Sequence, residues 1–308
     1  MSTSLVSVII PYYNRPQKMQ RCLDSVLGQT YSNVEVFVID DASHHAFEYN
    51  QDLRVQVIRN AKNLGPGPSR NIGLQQANGK FVVFLDSDDY WDLNFLEVTV
   101  AALVNNPAAV MVYANGVNVN EHGKTIGVRR NQIKHLDRIL PDILSVNRHW
   151  GTGGCLWRKT DIQNIQWIAS RSWEDYAFDI DVAIHNNSII GLKEPLVYYD
   201  SSGKDKLSEN TFDARRTQKV MALQHISDSL YASPWREDSM IKKAFSYLIL
   251  MNFLEYPTRD EKQLLLKIFN HWNGFFNRFL LKMLFKLPES QRMCFLELVT
   301  SVYRKQRR

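Results

Sequence analysis

Cysteine is scarce in this chain: three residues, Cys22, Cys155 and Cys294, far apart and odd in number. That scarcity speaks against a disulfide framework, and with no Cys-x-x-Cys pair a zinc ribbon is not expected either; a reducing, cytoplasmic setting fits best. No stretch approaches the roughly 18 apolar residues of a membrane-spanning helix. The opening Met-Ser-Thr-Ser-Leu-Val-Ser-Val has no basic n-region or cleavable apolar segment and runs straight into a strand pattern, so no secretion signal is read there. Internal repeats and low-complexity tracts are missing too.

What is present suits a folded soluble chain: 308 residues, 44% hydrophobic and 22% charged. The length holds one large domain and an appendage, divided here as 1–204 and 205–308. Charge is uneven. Residues 1–200 carry 18 Lys/Arg against 21 Asp/Glu, whereas residues 201–308 carry 19 against 11. A basic tail half suits an anionic contact such as a membrane surface, nucleic acid or an acidic partner, or it is a set of solvated helix faces.

Leu5–Ile10 reads as a buried strand stopped by Pro11, followed by a helix over 16–28 with Pro16 in its first turn and Met19, Cys22, Leu23, Val26 and Leu27 at helical spacing. Strands follow at Val34–Ile39 and Val55–Ile58. A loop over 60–68 leads into a helix from Ser69 to Ala77 that Asn78-Gly79 closes. Lys80–Leu85 is the next strand. This alternation predicts an α/β sheet. Further on come a helix over 93–105, a strand over 109–119, an irregular loop over 121–135 with Lys124, Arg129, Arg130 and Lys134, a helix over 175–185 and a strand at Leu196–Tyr199. Helices alone are expected beyond about 205.

Phe81-Val-Val-Phe-Leu-Asp86-Ser87-Asp88-Asp89 delivers three carboxylates to the carboxyl end of a buried strand. Open α/β sheets bind ligands at that edge. Carboxylates so close repel one another unless a cation intervenes, and hard oxygen donors suit Mg²⁺ or Mn²⁺, which leave positions for phosphates. A solvated acidic turn is the plain alternative. Other strand ends carry Pro11-Tyr12-Tyr13-Asn14-Arg15, suited to a base or ribose with Arg15 near phosphate, and Asp40-Asp41-Ala-Ser43, suited to a base imide or ribose hydroxyl. Gly65-Pro-Gly-Pro-Ser-Arg70 is not a dinucleotide fingerprint: Arg70 stands where the third Gly belongs, and the motif follows the third strand. It suits a tight loop presenting Arg70 and a helix start to phosphate. Glu174-Asp175 sits at a helix start, where carboxylates are favoured as caps or as a rigidly aimed general base. Asp179 lies one turn on, either tuning Asp175 by repulsion or forming a surface pair.

In order and spacing, these segments resemble family 2 glycosyltransferases of the GT-A fold. The matching stretches are Val-Ser-Val-Ile-Ile-Pro-Tyr-Tyr-Asn, Cys-Leu-Asp-Ser-Val-Leu-Gly-Gln-Thr-Tyr, Val-Ile-Asp-Asp-Ala-Ser, Asn-Leu-Gly-Pro-Gly-Pro-Ser-Arg-Asn-Ile-Gly, Phe-Leu-Asp-Ser-Asp-Asp, Trp-Glu-Asp-Tyr and Pro-Leu-Val-Tyr-Tyr, spanning residues 5–200. The resemblance implies a Rossmann-like mixed sheet flanked by helices, with a basic helical C-terminal extension. It implies an inverting hexosyl transfer from a nucleotide-diphosphate sugar, a UDP-sugar foremost, to a saccharide or lipid-linked saccharide in bacterial surface-polysaccharide assembly (lipopolysaccharide or capsule). Pro11, Tyr13, Arg15, Asp41, Arg70, Asp86 and Ser87 would bind the nucleotide-sugar. Asp88, helped by Asp89, would hold Mn²⁺ or Mg²⁺, and Asp175 would be the base. His149, Trp150, Trp173 and Glu174 would face the acceptor, unless they are loop and core residues. Relatives often carry a His after the last strand as a further metal ligand; Tyr198-Tyr199-Asp200-Ser-Ser-Gly203-Lys204 has none, so Asp200 or water would substitute, or Lys204 would meet the diphosphate.

The tail segment 271–286 and Arg304-Lys305-Gln-Arg307-Arg308 mix bulky apolar and basic residues as an interfacial helix would, which suggests peripheral contact with the cytoplasmic face of an anionic inner membrane. A helical packing domain or a dimer interface is the alternative. Two other functions compete with turnover: a catalytically inactive nucleotide-sugar-binding homologue, against which the two retained acidic motifs argue, and a nucleic-acid-binding module, which the acidic front half disfavours, so no nucleic-acid partner is expected.

Overall fold

The computed structural model describes residues 4–128, 136–144, 148–202, 212–255 and 259–272. Its strands are β1 (Val6–Tyr12), β2 (Val34–Asp40), β3 (Val55–Arg59), β4 (Phe81–Phe84), β5 (Tyr90–Trp91), β6 (Met111–Val119), β7 (Thr125–Val128), β8 (Cys155–Arg158) and β9 (Ile189–Asp200). The helices are α1 (Pro16–Leu27), α2 (Pro66–Gln76), α3 (Phe95–Asn105), α4 (Lys159–Ile162), α5 (Glu174–His185), α6 (Phe212–Tyr231), α7 (Ser239–Glu255) and α8 (Arg259–Trp272). One sheet runs β3-β2-β1-β4-β8-β6-β9-β5, with β7 paired to β6. β1 to β4 are mutually parallel, β8 is antiparallel to both β4 and β6, and β9 runs parallel to β6. The carboxyl ends of β1, β2, β4, β6 and β9 therefore share one edge.

β1 and β4 are buried nearly throughout because helices cover both faces of the parallel part, which explains their unbroken apolar runs. The predicted inner face of α1 is the observed one, with Met19, Cys22, Leu23 and Val26 buried. α2 lies so close to β1 that a Cβ on Gly73 would sit 2.4 Å from Ile9 Cγ2. Only glycine admits that approach.

Several elements differ from the sequence reading. β1 does not stop at Pro11 but runs on to Tyr12. β4 pairs β1 only as far as Ile9, so no strand on that side needs the N–H that Pro11 lacks. α2 begins at Pro66, inside the expected loop, because proline is tolerated in a first turn and Gly65 supplies the positive φ of 91° before it. β7 falls in the stretch read as irregular. β5 and β8 are too short, at two and four residues, to give a period. β9 starts at Ile189, well before Leu196, and its register against β6 shifts where Pro195 enters, a bulge that accommodates the proline.

The chain divides into two compact units, Met1–Phe245 and Ser246–Arg308. α6 belongs to the first, where it packs on α5. In the second, α8 buries Leu265, Ile268, Phe269 and Trp272 at helical spacing. Among the described residues no helix is long and apolar enough to cross a membrane. Arg129, Arg130, Lys134, Lys204, Cys294 and the basic tail from 273 onward lie outside the described residues.

Candidate active site

The common carboxyl edge gathers the acidic motifs, and buried arginines tie them together. After β4 the chain turns tightly, with Asp89 N–H donating to Asp86 C=O at 3.0 Å. Asp86 Oδ1 accepts from Arg70 Nη2 at 2.6 Å, and Asp88 Oδ2 accepts from Arg15 Nη1 at 2.7 Å. Burial, and then the Asp86 charge, raises the Asp88 carboxyl above the usual carboxylate range, with Arg15 opposing. Ser87 is buried. Asp89 is buried as well, and its Oδ1 accepts the Asp200 N–H at 3.1 Å, so this carboxylate anchors the turn to β9.

α1 brings a row of cations to the same edge. Arg15, Lys18 and Arg21 recur at a spacing of three. Arg21 Nη2 meets Asp200 Oδ2 at 2.5 Å and donates to the Asp88 C=O at 3.1 Å, while its guanidinium lies 4.5 Å from the Tyr90 ring centroid. Lys18 Nζ donates to Ser202 C=O at 2.8 Å and lies 3.4 Å from Asp200. Asp200, offered above as a substitute metal ligand, is thus engaged by two cations and by Ser202. Burial alone would raise its carboxyl, but the hydrogen bonds from Ser202 and Arg21 hold it below the usual range.

Across from the β4 turn stands the start of α5. Trp173 precedes it in the left-handed region at φ 63°, its ring stacked on Tyr176. Among the described residues, the non-glycine positions with positive φ are Asn14, Ala42 and Trp173, following β1, following β2 and preceding α5. Strain of this kind collects where a site over-determines its backbone. Arg70, 2% exposed, lies 4.4 Å over the Trp167 ring and reaches Glu174 Oε1 with Nη1 at 3.2 Å. One guanidinium therefore links Asp86 to Glu174. A second, Arg148, is 5% exposed. Its Nε and Nη2 hold both oxygens of Asp179 at 2.6 and 3.2 Å, and its Nη1 reaches Asp175 Oδ2 at 3.0 Å and Thr152 Oγ1 at 3.1 Å. Burial works against the Arg148 charge, yet Asp179 and Asp175 outweigh it and push its pKa well above the usual value.

Asp41 is buried; its carboxylate accepts from Asn60 Nδ2 and from the amides of Leu64 and Gly65, each at 2.8 Å, so it shapes the loop into α2. Pro11 sits near the end of β1, and Tyr13, 40% exposed, offers an open ring just beyond it. Trp150 is fully buried and donates from Nε1 to Asp179 Oδ2 at 2.7 Å. It offers no face to a sugar, contrary to the acceptor-side expectation: Asp179 and the Tyr113 ring enclose it. His149 is buried too, at 7% exposure. Trp173 is half-buried, with Lys219 Nζ 4.2 Å over its ring. Asp179 is no surface residue but lies wholly inside, bound to Arg148.

Sequence reasoning missed Arg148, Lys18 and Arg21. The α1 cations had a signal in their three-residue spacing on one helix. Arg148 had none: it stands alone between strands, and only the fold brings it to α5.

Burial, followed by the Asp175 charge, raises the Glu174 carboxyl to about 7, with Arg70 pulling the other way. A carboxyl raised on folding binds its proton more tightly in the native state. Its stabilising contribution is therefore complete below the unfolded value near 4.5 and is lost as pH rises to about 7. Glu174→Gln removes that dependence. Measured by urea unfolding at pH 5 and pH 8, the variant's stability relative to wild type is expected to improve at the higher pH by about 2 kcal/mol; equal differences at the two pH values would contradict it.

The sheet order, the acidic turn after β4 and the facing Glu-Asp helix start place the chain in the GT-A class of folds. The S. aureus TarS fragment 1–349, solved with UDP-GlcNAc, superposes with a TM-score of 0.69 at 20% identity, covering 88% of this chain and 80% of that one. The profile of the family described as glycosyl transferase family 2 matches residues 7–162. An uncharacterized glycosyltransferase of Haemophilus influenzae is 31% identical over 225 residues, 70% of this chain and 74% of the relative. The chain belongs to glycosyl transferase family 2. A UDP-Glc:alpha-D-GlcNAc-diphosphoundecaprenol beta-1,3-glucosyltransferase, WfgD of Escherichia coli, is 36% identical over 126 residues, 40% of this chain. The match spans about half of that relative, 49% of its length.

Proposed function

We propose that this protein is an inverting glycosyltransferase that moves a sugar from a nucleotide-diphosphate donor, a UDP-sugar foremost, to a hydroxyl of a saccharide or lipid-linked saccharide. The observation that carries the reading is Arg70: it joins Asp86 on the donor-side turn to Glu174 beside Asp175, so two acidic motifs far apart in sequence share one edge. The likeness to WfgD supports a lipid-linked acceptor. In the reaction, the acceptor oxygen attacks the anomeric carbon, its proton passes to Asp175, and the bond to the β-phosphate oxygen breaks with its electron pair leaving on the nucleoside diphosphate. Arg15, which pairs with Asp88 in the turn after β4, would meet the diphosphate. Tyr13 offers its exposed ring to the base or ribose.

The donor side suits a divalent cation. Asp88 carries a hard oxygen donor whose charge is held at a cost beside Asp86. Among the described residues no three His, Cys, Asp or Glu are gathered as a ligand set, so phosphates and water would complete the shell around Asp88. When bound, Mn²⁺ or Mg²⁺ would stabilise the leaving diphosphate as a Lewis acid.

A thermal-shift panel of UDP, GDP, dTDP and CMP with their sugar conjugates, each with and without Mn²⁺ or Mg²⁺, tests this. One donor at about 100 times its Kd should stabilise by roughly 2.7 kcal/mol. The shift should depend on the cation and vanish in Asp88→Ala. No shift with any donor would overturn the donor-binding reading of this site, and a shift with no release of nucleoside diphosphate in a turnover assay would favour the catalytically inactive nucleotide-sugar-binding homologue.

The net positive charge of residues 201–308 supports peripheral contact with anionic lipid. Vesicles containing phosphatidylglycerol are expected to co-sediment the full chain and not a chain ending at 270. Equal sedimentation of the two would reject the tail as the contact.

A further inference from the structure

The two carboxylates one turn apart on α5 do not simply repel. Arg148 stands between them, and its five nitrogen-to-oxygen contacts are unequal. Asp179 takes a two-pronged grip through Nε and Nη2, and Trp150 Nε1 supports Asp179 from the other side. Asp175 receives only Nη1, which it shares with Thr152 Oγ1 and the Trp150 carbonyl. The Arg148 backbone is itself fixed, its N–H donating to the Tyr176 hydroxyl at 2.7 Å. Arg148, Asp179 and Trp150 are buried, so the guanidinium cannot turn elsewhere.

A lone buried cation at 3.0 Å would hold Asp175 ionised and make it a poor base. Here the cation already has a full partner. With Asp179 holding its fork, the guanidinium can aim the Asp175 carboxylate by one further hydrogen bond. We infer that Arg148 and Asp179 are positioning residues for the general base: Asp179 locks the guanidinium, so that Arg148 aims the Asp175 carboxylate through Nη1. This rests on the assignment of Asp175 as base under the proposed function.

Other charged or titratable groups lie nearby: Cys155, whose charge acts on Arg148, and the buried His149 next to Arg148 in sequence. Glu174 precedes Asp175 on α5 and is paired to Arg70 of α2. The Tyr176 hydroxyl accepts from Arg148, and burial drives its pKa up to about 12. From α6, Lys219 lies over Trp173, and His225 pairs with Asp181 on α5 at 2.6 Å.

The full-length protein labelled with carboxyl-¹³C aspartate tests the inference without any substrate. The Asp175 resonance is assigned by its loss in Asp175→Asn and followed against pH. Asp179→Asn leaves the guanidinium uncompensated, so the Asp175 midpoint is expected to fall by about one pH unit. Arg148→Met removes the hydrogen bond to the Asp175 carboxylate, so the midpoint is expected to rise. Opposite movements support the inference. No movement, or movement of one sign in both, overturns it, since a merely structural bracket would not titrate its neighbour in two directions.

If either variant fails to fold, Arg148→Lys decides. Lysine keeps the charge but cannot hold Asp179 with a fork and reach Asp175 as well. With UDP-glucose as donor and release of UDP as the readout, kcat should fall about tenfold at unchanged KM, beyond what the lower melting temperature from the lost fork accounts for at the assay temperature. An unchanged kcat overturns the inference. The two readings fail separately: Asp175→Asn with wild-type turnover sinks the base assignment, whereas an inactive Asp175→Asn beside unmoved midpoints sinks only the role of Arg148 and Asp179.

Discussion

Asp175→Asn is expected to lower turnover by about 10²–10⁴-fold, the usual worth of a positioned general base. Donor affinity should change little, because Asp175 stands at the start of α5 and the donor-side groups Arg15, Tyr13 and Asp88 lie on other elements. Loss confined to kcat is the signature of an interaction made in the transition state. Asparagine keeps the shape and can still accept from Arg148 Nη1, and Arg148 keeps its fork on Asp179, so the fold should survive. The measurement is single-turnover kinetics beside the donor thermal shift. Glu174 is the specific competitor for the role, since its carboxyl is raised to about 7, where a base works best. Near-normal turnover in Asp175→Asn together with an inactive Glu174→Gln would move the base by one residue.

The second large effect concerns stability. Arg70→Met should destabilise the protein by about 3 kcal/mol, because it strands the largely buried Glu174 carboxylate, while Asp86, its side chain 37% exposed, is partly solvated. The melting temperature should fall on the order of 10 °C for a unit of this size. Much of that loss is uncompensated charge and not missing attraction. Adding Asp86→Asn and Glu174→Gln to Arg70→Met should therefore recover most of the stability while leaving the protein inactive, as a buried ion network replaced whole costs little. A change below about 1 kcal/mol in the single variant would show that water reaches the carboxylates and that Arg70 is not the joint between the motifs.

The parallel half of the sheet was legible because its strands are buried on both faces and so appear as unbroken apolar runs, and because each ends in polar residues at the ligand edge. Asp86, Asp88 and Asp175 stood out for the same reason: carboxylates placed at a strand end and a helix start are local features. β8 was hidden by its four-residue length, and the start of β9 by the bulge at Pro195. Trp150 shows the limit from the other side. An aromatic residue beside a candidate site reads equally well as a sugar platform or as core, and only packing shows it enclosed beneath Asp179.

By itself, then, the sequence determined the α/β class, the acidic turn at the end of β4, the Glu-Asp helix start and the family, because each is written in neighbouring residues or in their order. The tertiary structure alone decided which cations meet those carboxylates. Arg70 lies 104 residues from Glu174, and Arg148 lies 27 and 31 from the two aspartates it joins. Charge pairing depends on distances of about 3 Å, and no local pattern constrains separations of that kind across a folded chain.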